Sequence, residues 1–277
     1  LRLTRVKVLL SALLLSAALS HAGQAPSPAC PPAAGQPSPS QIEEGTKGAR
    51  DRGFLWRATR DGRTSYLYGT VHVGRMEWMF PGPEALRAAR ASDVIALELD
   101  ILDPDIAGRL QAGMAPRPDR AIPEALRRRL GAQLKAACLP EVLLDQAAPE
   151  MVATTLTVMA ARNDGLDPAY AVDAVYASLA RALRKPVSSL ETPELQLKLL
   201  LSGTEAESWE AIESALQNLE SGKAAPQLAR MAQVWSDGRL GEMENYEKWC
   251  ECMETDADRT MMRRMLDERN PGMAKNI

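Results

Sequence analysis

The run Asp93-Val94-Ile95-Ala96-Leu97-Glu98-Leu99-Asp100 constrains the fold more than any other segment. It is almost continuously apolar until Glu98. A run this short, with no polar alternation, has the pattern of a strand covered on both faces, which requires helices above and below a sheet. Upstream, Phe54 to Thr59 and Ser65 to Gly74 are two strand-like runs around Asp61-Gly62, a hairpin turn signal, and they predict an antiparallel pair. Lys185 to Thr192 reads as a further short strand.

Between and after these strands the chain is helical. A short helix is expected over 84–91. Helices over 123–137, 149–162 and 168–183 each begin with proline at a first-turn position, as does one from Pro193 to Leu201. Others follow at about 206–221, 224–235, 242–250 and 256–268. The expected class is α/β, with a central mixed sheet and a large helical insertion. At the end, Asn270-Pro271 is a cap and first-turn signal, and Met273 and Ile277 lie four apart. This reads either as a helix that begins and is cut off or as a frayed terminus.

The first residues read as an export signal. Arg2, Arg5 and Lys7 precede the apolar stretch Val8–Leu19, and Ser20-His21-Ala22 has a small–x–small cleavage pattern. The stretch is short for a membrane span, so cleavage after Ala22 is the expectation, with an uncleaved anchor as the alternative. The full chain carries 33 basic and 36 acidic residues, and the mature chain would keep 30 against 36, a net charge of −6. That balance argues against nucleic acid as a partner and supplies no polybasic patch for a membrane surface. A periplasmic or secreted location follows. Residues 23–48, rich in Pro, Ser, Ala and Gly, read as a flexible tether, leaving 49–277 as one α/β domain.

Four cysteines, Cys30, Cys138, Cys250 and Cys252, suit disulfides in an oxidising compartment. Cys250 and Cys252 are too close for an ordinary bridge along a regular helix, so a bridge from one of them to Cys30 or Cys138 is one option, and the spacing leaves the connectivity open. The spacing lacks the paired CxxC form of a structural metal site.

Cleavage after Ala22 would leave His72 as the only histidine. It lies in Gly69-Thr70-Val71-His72-Val73-Gly74, whose small residues let the backbone turn and a ligand approach. It stands at the carboxyl end of a strand, where open sheets place their sites, and a neutral imidazole there can bind a metal or act as a base. A core histidine satisfied by a hydrogen bond is the plainer alternative. Glu98 and Glu191 also end strand-like runs, with Asp100 two residues beyond Glu98. A carboxylate at the end of a buried strand needs a partner or a metal. Glu98 has the alternative of an exposed strand end. Glu191, ahead of Thr192-Pro193, has the alternative of capping the following helix. If the sheet gathers these ends, one histidine with carboxylates suits an ion such as Mn, Co or Zn. No HExxH helix, nucleophile elbow or phosphate loop is present, and without a second histidine a serine triad is rejected.

As an ordered set these segments resemble the TraB/GumN family, whose relatives include the TIKI metalloproteases. Tyr66 to Gly74 resembles its first GxxH motif, and Ala96 to Asp100 its acid-bearing strand. Gly165 to Asp173 and Lys185 to Thr192 are similar to its central signatures, and Glu268 to Met273 to its Arg-Asn motif. Ala171 departs from the glycine often found before Val-Asp. The resemblance implies a TIKI-like fold and a divalent-metal-dependent hydrolase, with a peptide as the substrate to consider first. In it His72 and Glu98 serve as metal ligands, with Glu98, Arg269 and Asn270 in catalysis and Glu191 and Asp173 at the substrate. It also implies a further strand and a second GxxH after the Arg-Asn segment. The sequence ends before them, so a truncated member is expected. A non-catalytic periplasmic binding or accessory protein, or an inert truncated member, are the alternatives.

Overall fold

A computed structural model describes residues 30–253 and 255–277. The export signal at 1–22 lies outside the described residues. The architecture is mixed α/β, mostly helical, with little sheet.

A helix over Pro39–Lys47 (α1) comes first, closed by a capping box between Ser38 and Gln41. Strands Phe54–Arg60 (β1) and Arg63–Gly69 (β2) form the antiparallel hairpin expected from Asp61-Gly62. Both turn residues have positive φ, 50° and 74°. That suits the tight turns whose twist matches paired strands. Pro83–Ala91 (α2) leads into the three-residue strand Ile95–Leu97 (β3), and Pro104–Gly113 (α3) follows, capped by Asp103. The helical middle comprises Glu124–Ala136 (α4), Leu143–Gln146 (α5), Pro149–Val158 (α6) and Val172–Ala182 (α7). Val187–Ser189 (β4) then pairs in parallel with β3. Pro193–Leu200 (α8), Glu205–Glu220 (α9), Ala224–Ser236 (α10), Leu240–Met243 (α11), Asp256–Met265 (α12) and Asn270–Lys275 (α13) complete the described chain.

Several expectations are corrected. Among the described residues the strands form two separate two-stranded sheets, not one central mixed sheet. In β3 only Ile95 and Leu97 are buried, against Ala89, Ala177 and Ala180, while Val94 and Ala96 face solvent. The apolar run is therefore covered on one face only. Residues 30–48 of the segment read as a tether are tied down: α1 lies within them, Cys30 is bonded to Cys138, and the Gly35 N–H donates to the Tyr170 hydroxyl at 3.1 Å, while 23–29 lie outside the described residues. Cys250 and Cys252 bridge each other. The helix expected over 242–250 breaks after Met243 and the 3₁₀ turn Tyr246–Lys248, and Glu251 turns left-handed at φ 48°. That backbone reversal allows the short bridge, which a continuing helix would forbid.

The largest core joins α4, α6 and α9 through Leu130, Leu134, Leu156, Ile212 and Leu216, all essentially inaccessible. A second core, around Trp78, Leu166, Val172 and Trp235, positions the segment after β2. Gly74 exchanges backbone hydrogen bonds with Asp167 at 3.1 and 2.9 Å, and Val172 N–H donates to the Val71 carbonyl at 2.9 Å. A Cβ on Gly74 would stand 2.3 Å from the Tyr170 carbonyl oxygen, so backbone meets backbone with no room for a side chain. No helix among the described residues is long and apolar enough to cross a membrane.

Gly74→Ala should accordingly cost about 1–3 kcal/mol through overpacking. The measurement is a urea midpoint with its slope, and an unchanged midpoint would show that the 74–167 contact yields freely.

Candidate functional site

The parallel pairing of β3 and β4 brings two acids together. Leu190 N–H donates to the Leu97 carbonyl at 2.8 Å and Glu191 N–H to the Glu98 carbonyl at 3.0 Å. Glu98 and Glu191 thus leave adjacent strand ends at the same level. Two carboxylates this close repel and need a cation between them. Arg269 supplies it from the start of α13. Its Nε lies 2.8 Å from both Glu191 carboxylate oxygens, and its Nη2 donates to Glu98.

The two acids are not equivalent. The Glu191 side chain is 1% exposed and the Arg269 side chain 9%, whereas that of Glu98 is 35% exposed. Burial alone would push the Glu191 carboxyl up, but hydrogen bonds from Arg269 and from Gln196, at 3.1 Å, outweigh it and hold it below its ordinary value. Arg269 is raised above its usual value, chiefly by the hydrogen bond to Glu191. Helix α8 takes its cap from Thr192, so Glu191 is not the capping group.

His72 lies three residues beyond the end of β2, in a loop held against the 167–172 segment. Its Nδ1 is 3.3 Å from Asp173 Oδ2, in the first turn of α7, and 64% of the imidazole is exposed. The hydrogen bond to Asp173 raises the His72 pKa above its ordinary value. Desolvation opposes that, Glu98 assists, and Arg269 opposes. Glu98 and Arg269 thus lie within electrostatic reach of the His72–Asp173 pair. Asp173 Oδ1 is buried and has no hydrogen-bond partner among the described residues.

The structure thus gathers His72, Glu98, Glu191, Arg269 and Asp173. It does not bring in the Asn270 side chain, which is exposed and forms no hydrogen bond to the cluster among the described residues. Glu191 is enclosed by Arg269 and Gln196, both of which donate to its carboxylate. Asp100 lies past the end of β3, where it is buried and paired with Arg181 at 3.0 Å. Sequence reasoning missed Gln196, Arg181 and the orienting role of Asp173. Gln196 lies on the first turns of the helix that follows Glu191, which was the available signal.

The donors present do not by themselves form an ion site. Among the described residues no group of three His, Cys, Asp or Glu side chains comes together to hold a metal. Arg269 occupies the space between the two glutamates, and Asp173 is engaged by His72.

The sequence profile of the TraB/PrgY/gumN family matches residues 54–277. The chain belongs to this family. No curated protein and no solved structure matches it. The match takes in every residue of the cluster, from His72 to Arg269.

Two outcomes follow. Titrated by NMR, His72 should show a pKa above about 6.5, falling on Asp173→Asn. Because the folded value is raised, the stabilisation from this pair is full below about pH 6.5 and is lost as pH climbs through the folded value. An unshifted His72 would remove Asp173 as its partner. Separately, Arg269→Met strands Glu191 as a buried charge and should cost about 3–5 kcal/mol, with Arg269→Met/Glu191→Gln recovering part of it. A double variant no more stable than the single would contradict the pairing.

Proposed function

We propose that this family member is an exported hydrolase whose reaction is carried out at the His72–Asp173 pair. The observation that supports it is geometric. An imidazole whose Nδ1 meets a carboxylate at 3.3 Å presents its remaining edge to solvent, where a water can be activated. Asp173 fixes the tautomer and stabilises the imidazolium as His72 takes the proton from water. Arg269 holds positive charge beside the reacting centre, and Glu98, the more exposed acid, is the group left to meet a substrate or return a proton. Peptides are the first substrate class to test, in keeping with the resemblance to the TIKI branch. Disulfides at Cys30–Cys138 and Cys250–Cys252 support a periplasmic or secreted setting.

A divalent ion remains part of the family resemblance. When bound, such an ion supplies Lewis-acid polarisation and a more acidic water. His72 and Glu98 are one donor each toward it, which is too few without further ligands, so no step here is routed through it.

The test is cleavage of a mixed peptide library, read by mass spectrometry, with and without added Mn²⁺, Co²⁺ or Zn²⁺. Cleavage should rise with pH as His72 loses its proton. It should fall by about 10²–10⁴-fold in His72→Ala and Asp173→Asn variants that keep the parental circular dichroism. If the parent cleaves nothing under any condition, or His72→Ala keeps full activity, the hydrolase reading is lost. The cluster would then be a structural polar centre in a binding or accessory protein.

A further inference from the structure

We propose that the Cys250–Cys252 disulfide is a thiol–disulfide exchange site for neutral or cationic thiols, attacked at Cys252. This rests on no feature of the His72 cluster.

The two bridges of this protein are built for different work. A cross-link stabilises largely by restricting the unfolded chain, and the restriction grows with the loop it closes. Cys30–Cys138 spans 108 positions, whereas Cys250–Cys252 spans 2. The short bridge can therefore contribute little to holding the fold together. It also fixes Glu251 at φ 48°, a left-handed conformation that a residue with a side chain adopts at a cost. Opening the ring frees that residue.

The two sulfurs are not equivalent either. Cys250 is 2% exposed, while Cys252 is half-buried. Both line a cleft of about 610 Å³, together with residues of α9, α10 and α12. The backbone N–H of Cys252 donates to Cys250 Sγ at 3.3 Å. A donor aimed at one sulfur stabilises negative charge there and marks it as the leaving group. An incoming thiolate therefore attacks Cys252 Sγ. A bond forms to that sulfur, the Cys250–Cys252 bond breaks, and the electron pair passes to Cys250 Sγ, which takes up a proton from solvent. A second thiolate then displaces Cys252 from the mixed disulfide. In balance, two thiols become one disulfide and the bridge becomes two thiols, with two electrons transferred.

The cleft also selects by charge. Glu207, Glu210, Asp256 and Asp258 line it with Arg264, itself 3.7 Å from Glu207, and Arg259 pairs with Asp256. The carboxylates still outnumber these two guanidiniums, and that excess disfavours anionic thiols and draws in cationic ones. Such a thiol can be a small amine or a cysteine in a basic peptide. Met231, Met261 and Leu228 on the cleft lining provide apolar contact that a peptide would use and a small thiol would not.

The experiment exposes the oxidised full chain to limiting cysteamine, 2-mercaptoethanesulfonate or a lysine-rich cysteine peptide. Rates are normalised to thiolate fraction, the mixture is trapped by alkylation, and adducts are mapped by mass spectrometry. The expected result is opening of Cys250–Cys252 at least about tenfold faster than Cys30–Cys138, with the mixed disulfide on Cys252. Cysteamine should outpace the sulfonate by at least about threefold, and a further gain with the peptide would identify a peptide source. Presented with oxidised cysteamine, Cys250→Ser should accumulate an adduct on Cys252, while Cys252→Ser should accumulate none on Cys250. Opening of Cys30–Cys138 first or equally fast, or an adduct on Cys250, would overturn the exchange site. Equal rates with cysteamine and the sulfonate would overturn the assigned thiol class.

Discussion

Arg269 is the interaction on which the site depends. The pairing of β3 with β4 delivers two carboxylates side by side, and that juxtaposition is unfavourable until a guanidinium lies between them. A buried ion pair adds little net stability, since desolvation consumes most of the attraction. Its effect here is on geometry. Glu191, itself held by a hydrogen bond from Gln196, fixes the guanidinium from the buried side, and that leaves Glu98 as the acid with access to solvent. Inequality between two neighbouring carboxylates is what chemistry with an acid and a base requires, and here it arises from burial together with the hydrogen bonds that Arg269 and Gln196 give to Glu191.

Around that centre the backbone is pinned by local devices. The hairpin turn and the close approach at Gly74 place His72 over the first turn of α7, where Asp173 waits. Asp167 and Val172, whose backbones hold this loop, belong to the same segment that delivers Asp173. The loop and its carboxylate are therefore not independent parts. Displacing the 167–172 segment would move both members of the pair together.

Much of this was legible in the sequence because the signals are local. Asp61-Gly62 specifies its turn, and prolines at first-turn positions announce α6 and α8. Glu98 and Glu191 end adjacent parallel strands, which is the condition the sequence set for a shared polar cluster. What failed were inferences about surroundings. The apolar run before Glu98 suggested cover on both faces, yet Val94 and Ala96 are exposed. Periodicity reports which residues tolerate burial, not which obtain it. Helices α1, α3 and the single turn α5 escaped notice, although Ser38 and Asp103 cap the first two before Pro39 and Pro104. Proline-rich composition masked the first. The Cys250–Cys252 bridge was disfavoured on the assumption of a helix that in fact ends earlier. The pairing of His72 with Asp173, 101 positions apart, is a product of tertiary packing and no local pattern carries it.

The separation of the three charged partners has a kinetic meaning. Glu98 and Glu191 are 171 and 78 positions from Arg269 along the chain. A chain folding from its amino end presents the two acids before their counter-charge and holds an electrostatically frustrated intermediate until α13 docks. Until then the acids are adjacent but unneutralised, so the cluster is completed only when that helix takes its place.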